Sequence, residues 1–426
     1  MINLIEANPY VGLDLSVFDH NLSLPRHRWY EFKEGFSERL VRSAVSDVSS
    51  RSRRRKKLHI LDPFAGSGTT LVTAGRMNLE ATGVEVNPFL AFAARAKCAS
   101  GSWERKDYEA EMKRILSDSQ HEVVSSLEGK STFTEHPKIK KWLFNRSVLR
   151  GFTAIEQALA AAEQYRDPLR LALFSSLMEC CNARRDGKCL RYRKEWESQG
   201  LNSNDLRRIF QRRALTVFND ITQHKFDGSG ISVALGDARE QLRNLRSNSF
   251  DLMVTSPPYL NSFDYSDIYR PELFAGGYVQ NNAELSQLRL QTIRSHVQVD
   301  WKPSEVVSSP MIPQLVARMA KGNLWNKKLP AMVQSYFTDM ADILRESARL
   351  VRAHGQAWIV VSTSAYGGIE VPVDLILADV ATRNGWILRG VNVLRQLRAA
   401  GQHWAHLEHG TKLPLRESLV ILERLK

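Results

Sequence analysis

Ser256-Pro257-Pro258-Tyr259 follows the apolar run Leu252-Met253-Val254, so a stiff aromatic turn closes a segment that reads as a buried strand. Two consecutive prolines fix φ and carry no N–H, which leaves carbonyl acceptors beside a serine hydroxyl and an aromatic face. That set suits a flat ring bearing an NH₂ group: Ser256 and the Pro257 carbonyl accept its hydrogens, Pro258 keeps the turn rigid and Tyr259 stacks on the ring. In isolation the same four residues are an ordinary Pro-Pro turn, so the rest of the chain has to decide.

A second loop, Asp62-Pro63-Phe64-Ala65-Gly66-Ser67-Gly68-Thr69-Thr70, lies between a short apolar strand and a helix. Glycines there let the backbone approach a ligand, and the helix-start N–H groups favour a negative group. Leu71 stands where a dinucleotide-binding fingerprint would place its third glycine, and no Gly-Lys-Ser/Thr follows, which weakens the dehydrogenase and phosphate-loop readings. Glu85 ends the next strand, where a carboxylate accepts hydrogen bonds from both hydroxyls of a ribose. Asp237 repeats the arrangement one strand later, suited to the amino group of an adenine ring. Asp62, Phe64, Gly66, Gly68, Thr69, Glu85 and Asp237 are therefore the candidate nucleoside-binding residues.

These residues need a parallel sheet to hold them. Strands are expected over 58–61, 81–86, 231–235, 250–255, 357–361, 386–393 and 418–422, with helices over 69–77, 336–352 and 373–382, an α/β alternation of about seven strands. Residues 20–102 and 231–426 form the expected catalytic domain. Residues 103–230, helical and basic with little strand character, form an inserted subdomain. A further interruption over 274–330, with Gly276-Gly277, Asn281-Asn282 and several prolines, has loop composition that can order on binding substrate.

The chain has 426 residues, a formal net charge of +13, 43% hydrophobic residues and 25% charged ones, a globular composition whose basic excess attracts polyanions. Nucleic acid is the leading partner class. In the insertion, the stretch from Arg184 to Arg213 carries ten basic side chains against four acidic ones, with Tyr192, Trp196 and Phe210 interleaved. Arg184, Arg185, Arg191, Arg193 and Lys194 are the candidate nucleic-acid contacts, the alternative being a solvated helical face. The run from Arg51 to Lys57 is a second basic segment. Four cysteines without C-x-x-C spacing exclude a thiolate zinc site and fit a reduced, cytoplasmic setting, and no metal is expected. No targeting segment or run of membrane-spanning length is present in the sequence.

Taken together, the glycine loop, Glu85, Asp237 and Thr255-Ser256-Pro257-Pro258-Tyr259 resemble the N4-cytosine/N6-adenine amino-methyltransferase family of bacterial DNA modification enzymes, serine-type subgroup. The similarity extends through residues 27–37, 261–265 and 349–351. The resemblance implies a Rossmann-like, seven-stranded methyltransferase sheet, S-adenosylmethionine as methyl donor, double-stranded DNA as substrate, a cognate restriction endonuclease as a further partner, and the N4 of a flipped cytosine as acceptor. Adenine N6, RNA, and a binding protein without activity are the competing readings. Direct attack by the amino nitrogen needs no covalent intermediate, and no Pro-Cys pair is present to supply the nucleophile of a C5-cytosine enzyme. Asp264 or Asp267 is the candidate to take the surplus proton, each being equally well explained as a structural loop acid.

Overall fold

A computed structural model describes residues 10, 12–51, 57–186, 189–397 and 415–426. Residues 52–56 of the basic run and Lys188 lie outside the described residues.

Seven strands form one sheet: β1 (His59–Asp62), β2 (Glu80–Glu85), β3 (Ile231–Leu235), β4 (Phe250–Thr255), β5 (Val351–Ser362), β6 (Trp386–Gln396) and β7 (Arg416–Arg424). Their spatial order is β6-β7-β5-β4-β1-β2-β3. The five strands from β5 to β3 pair in parallel, while β7 runs antiparallel between β5 and β6. This order, with its single reversed strand, agrees with the Rossmann-like seven-stranded sheet that the resemblance implies.

Parallel strands covered on both faces must be apolar throughout, and alternate residues feed opposite layers. Leu252, Val254, Trp358 and Val360 point into a layer with α1 (Glu38–Arg51) and α2 (Thr69–Arg76). Met253, Ile359 and Val361 point the other way. After β2 comes α3 (Pro88–Lys97), opened by Asn87, whose side chain accepts from the N–H groups of Phe89 and Leu90, with Pro88 at the first helical position.

The insertion contains α4 (Arg105–Asp118), α5 (Arg146–Leu159), α6 (Arg166–Glu179) and α7 (Ser203–Gln223). It also holds an antiparallel ribbon, Ala183–Asp186 with Cys189–Tyr192, where the sequence reading expected little strand character. Its apolar core is continuous with Phe89 and Phe92 of α3, with Trp29 and Tyr30 of the amino-terminal segment, and with Tyr269 and Leu273. The ribbon presents arginines alternately outward and inward, which separates the basic residues that sequence alone lumps together.

Beyond β4, the 274–330 stretch is more ordered than its composition implies. Asn281 caps a helix over Asn282–Gln291, and a second helix spans Met311–Lys321. The Asn-Asn pair is thus a helix start rather than loop filler. Helix α8 (Leu329–Leu350) then covers the second face of the sheet with α9 (Val373–Thr382), packing beside Met253 and Ile359. The helix passes directly into β5 and ends at Leu350, two residues before the end of the helix expected over 336–352. Among the described residues, no helix is long and apolar enough to cross a membrane.

Candidate active site

Between β1 and β4 the winding of the sheet changes direction, and a crevice opens beyond their carboxyl ends, where open α/β sheets place ligands. Asp62 ties the two strand ends together. Its carboxylate accepts from Thr70 Oγ1 (2.6 Å), Thr255 Oγ1 (2.7 Å) and the Phe64 N–H (3.1 Å). Burial still pushes its pKa up to about 6, desolvation outweighing the three hydrogen bonds. Asp62 therefore fixes the loop from within and does not line the cleft, contrary to its sequence assignment as a ligand contact.

Gly68 is a second such correction. It adopts φ of 89° at the start of α2, and a Cβ there would meet Ala94 Cβ at 3.0 Å, so it permits α2 and α3 to pack together. Gly66, by contrast, lines the cleft with φ of 52°, and the ring of Phe32 from the amino-terminal segment lies directly over it. Phe64 and Thr69 line the same cleft.

Glu85, at the end of β2, accepts from the N–H groups of Gly66 (2.7 Å) and Asn87 (2.8 Å). Desolvation raises its pKa to about 7 despite those two donors. Asp237, two residues beyond β3, caps the short helix Ala238–Gln241, while Arg239 Nε bonds both of its oxygens at 2.9–3.0 Å. Arg239 also reaches Asp339 of α8 (3.0 Å), which holds Arg294 in turn (2.6 Å). That chain of charges fastens the 291–296 segment against β3 as a cleft wall.

Ser256, Pro257, Pro258 and Tyr259 all line this same cleft, whose empty volume is about 1130 Å³ including its open mouth. The Tyr259 hydroxyl bonds Glu417 Oε1 of β7 at 3.2 Å, which fixes the ring from the same edge of the sheet, beyond the end of β5. Asp264 lies in the cleft, accepts from Ser266 and pairs with Arg289 at 2.5 Å, whereas Asp267 is exposed. The structure thus brings Asp264 rather than Asp267 beside the tetrapeptide.

The basic candidates disperse. Arg185 is buried in an ion pair with Glu272, its guanidinium 4.4 Å from the Tyr269 ring centroid. Arg193 donates to the last carbonyls of α6 at 3.3–3.5 Å, and exposed Arg191 pairs with Asp186 at 2.7 Å. Arg184 and Lys194 remain exposed. Burial of Arg185 depends on Glu272, 87 positions away, and no local signal announces it.

The sequence reading also missed Lys97. Its side chain is buried at the end of α3 and donates to the Tyr30 carbonyl and to Ser67 Oγ, both at 3.1 Å, linking the amino-terminal segment to the glycine loop. Burial lowers its pKa to about 7. Between about pH 7 and the ordinary lysine range the unfolded chain binds a proton that the folded chain does not, so this group makes stability rise with pH there. Relative to Lys97→Met, the wild type is expected to gain about 1.4 kcal/mol per pH unit across that window. Urea titrations from pH 7 to 10 check it, and parallel profiles for the two proteins would refute it.

No known protein-family profile matches the chain. It is 26% identical over 407 residues to type II methyltransferase M.AvaI of Nostoc sp., covering 88% of this chain and 82% of that protein. Type II methyltransferase M.BsoBI of Geobacillus stearothermophilus is 24% identical, covering 99% and 90%. M.MvaI of Kocuria varians, also a type II methyltransferase, is 20% identical, covering 88% and 84%. The chain is a distant homologue of these enzymes along nearly its whole length.

Proposed function

We propose that this protein is a DNA methyltransferase that transfers a methyl group from S-adenosylmethionine to N4 of a cytosine rotated out of double-stranded DNA. The observation that carries the reading is the Ser256–Tyr259 turn at the end of β4, facing the same cleft as Gly66 and Glu85. Distant homology to type II methyltransferases and the net charge of +13 support it.

The cleft fits the cofactor. Glu85 is a carboxylate with two backbone donors and acceptor capacity to spare for a ribose diol, and Gly66 lines the same cleft beside the Phe32 ring. Glu85 and Asp237 would hold the ribose and adenine, with Phe64, Gly66 and Thr69 along the loop. When bound, S-adenosylmethionine supplies an electrophilic methyl group on a sulfonium. Ser256 Oγ and the Pro257 carbonyl accept the hydrogens of the target NH₂ and turn its lone pair toward the donor, so alignment supplies most of the acceleration. Tyr259 stacks on the flipped ring. Asp264, a carboxylate lining the same cleft, would receive the released proton.

Tyr259→Phe keeps the ring and loses the bond to Glu417, so transfer is expected to fall less than about tenfold. Tyr259→Ala also removes the stacking face and is expected to cost about 10- to 100-fold in KM for DNA, from the energy of one base–aromatic stack. Steady-state kinetics of both variants separate these effects, and equal losses would contradict the stacking role. The reaction itself is tested by labelled-methyl transfer to unmodified DNA and to RNA. Incorporation into DNA is expected, and incorporation into RNA alone would replace the substrate.

A further inference from the structure

A second cavity, of about 890 Å³ with its open mouth, lies between the amino-terminal segment, α6, the ribbon and α7. Arg28, Lys33, Arg184, Arg185, Arg193 and Arg213 line it, against two carboxylates, Glu31 and Glu179. Those carboxylates are already shared. Glu179 receives both Arg212 and Arg213, and Glu31 lies 3.5 Å from Lys33 with both side chains half-exposed. Arg193 has backbone carbonyls for partners, and its Nε is buried without one. Arg28 pairs with Asp220, which also accepts from Trp29 Nε1 and the Arg26 N–H. Arg184 reaches the cavity from the exposed side of the ribbon. A concave surface with this excess of positive charge concentrates its field on an anion.

The cavity shares a wall with the candidate active site. Tyr30 lines it and donates to Glu272 at 2.6 Å; Arg185 pairs with the same carboxylate and lies over Tyr269, which lines the cleft. Tyr269 in turn donates to Glu34 and stacks near Phe32 at 5.9 Å, both in the cleft.

We infer that this cavity binds a backbone phosphate of the same nucleic-acid strand whose base enters the cleft, with Lys33 and Arg184 as its exposed contacts and the remaining arginines as its floor. The inference rests on the nucleic-acid reading of the substrate. It departs from the sequence candidates, because Arg191 and Lys194 lie outside the cavity while Arg28, Lys33 and Arg213 enter it.

The test is fluorescence-anisotropy binding of a labelled DNA duplex over a series of salt concentrations, with methylation of the same duplex followed in parallel. Lys33→Gln/Arg184→Gln touches two partly or fully exposed side chains and leaves the buried pairs intact. Arg318→Gln, on an exposed helix face, is the control. The double variant is expected to lower the slope of log affinity against log salt by about one to two units, roughly 0.9 per lost phosphate contact, with cofactor affinity unchanged and the control at the wild-type slope. A wild-type slope in the double variant would overturn the inference while DNA methylation continued to support the enzyme assignment. Saturable protection of the wild type by inorganic phosphate, combined with an unchanged DNA slope, would make the cavity a free-anion site and overturn it too. A wild type that neither binds nor methylates DNA would remove both readings.

Discussion

Ser256→Ala is expected to lower kcat for methyl transfer about 100-fold while leaving the affinities for cofactor and DNA within a few-fold of wild type. Ser256 lies one residue beyond Thr255, whose hydroxyl is bonded to the buried Asp62, so the serine sits on a strand end with little freedom to shift. Its proposed work is to hold an amino hydrogen so that the nitrogen lone pair faces the donor. A misplacement of about 1 Å at a reacting centre costs about 100-fold in rate. Substrate binding depends on other contacts, chiefly Tyr259 and the phosphate-facing cations. Pre-steady-state methyl transfer from the preformed ternary complex isolates that step. A rate within a few-fold of wild type would show that Ser256 lines the cleft without aligning the base.

Glu85→Ala is expected to weaken cofactor binding by about 100-fold, the scale of losing charge-assisted hydrogen bonds worth about 1.5–3 kcal/mol. It also strands the Gly66 and Asn87 N–H groups, so a lower melting temperature accompanies it. Glu85→Gln separates the two effects through pH. Burial raises the Glu85 pKa to about 7, and the ionised form is the better acceptor for ribose hydroxyls, so wild-type cofactor affinity rises as pH passes upward through about 7. The glutamine variant is expected to lack that rise. For folding the sign reverses: the folded protein keeps this proton above the ordinary value of 4.5, so Glu85 lowers the stability of the cofactor-free protein as pH climbs from about 4.5 to 7. Calorimetric cofactor titrations at pH 6, 7 and 8 check the binding half, and identical profiles for wild type and Glu85→Gln would contradict it.

The strand ends that build the cleft are legible in the sequence because polar turn chemistry follows each apolar run abruptly. Residues 231–235 and 250–255 coincide with β3 and β4, and the glycine loop, Glu85 and Asp237 stand at successive strand ends. Long-range partners account for what was not legible. Asp62 has the residue type of a ligand contact, yet Thr70 and Thr255 from two other elements occupy its oxygens. Arg185 belongs to a run of solvated-looking arginines, yet Glu272 and Tyr269 draw it inward. Lys97 ends a helix otherwise rich in alanine, where a lysine usually reaches solvent, and the amino-terminal segment covers it instead. The two helices of the 274–330 stretch were hidden by prolines and paired glycines and asparagines, residues that mark helix ends as readily as loops.

Mass spectrometry of nucleosides from unmodified DNA incubated with the protein and S-adenosylmethionine reads directly which atom receives the methyl group. N4-methylcytosine is expected in DNA treated with wild type, with a strongly reduced yield from Ser256→Ala. N6-methyladenine in its place would contradict the assignment of the base, and the absence of any methylated nucleoside in DNA would contradict the assignment of the enzyme.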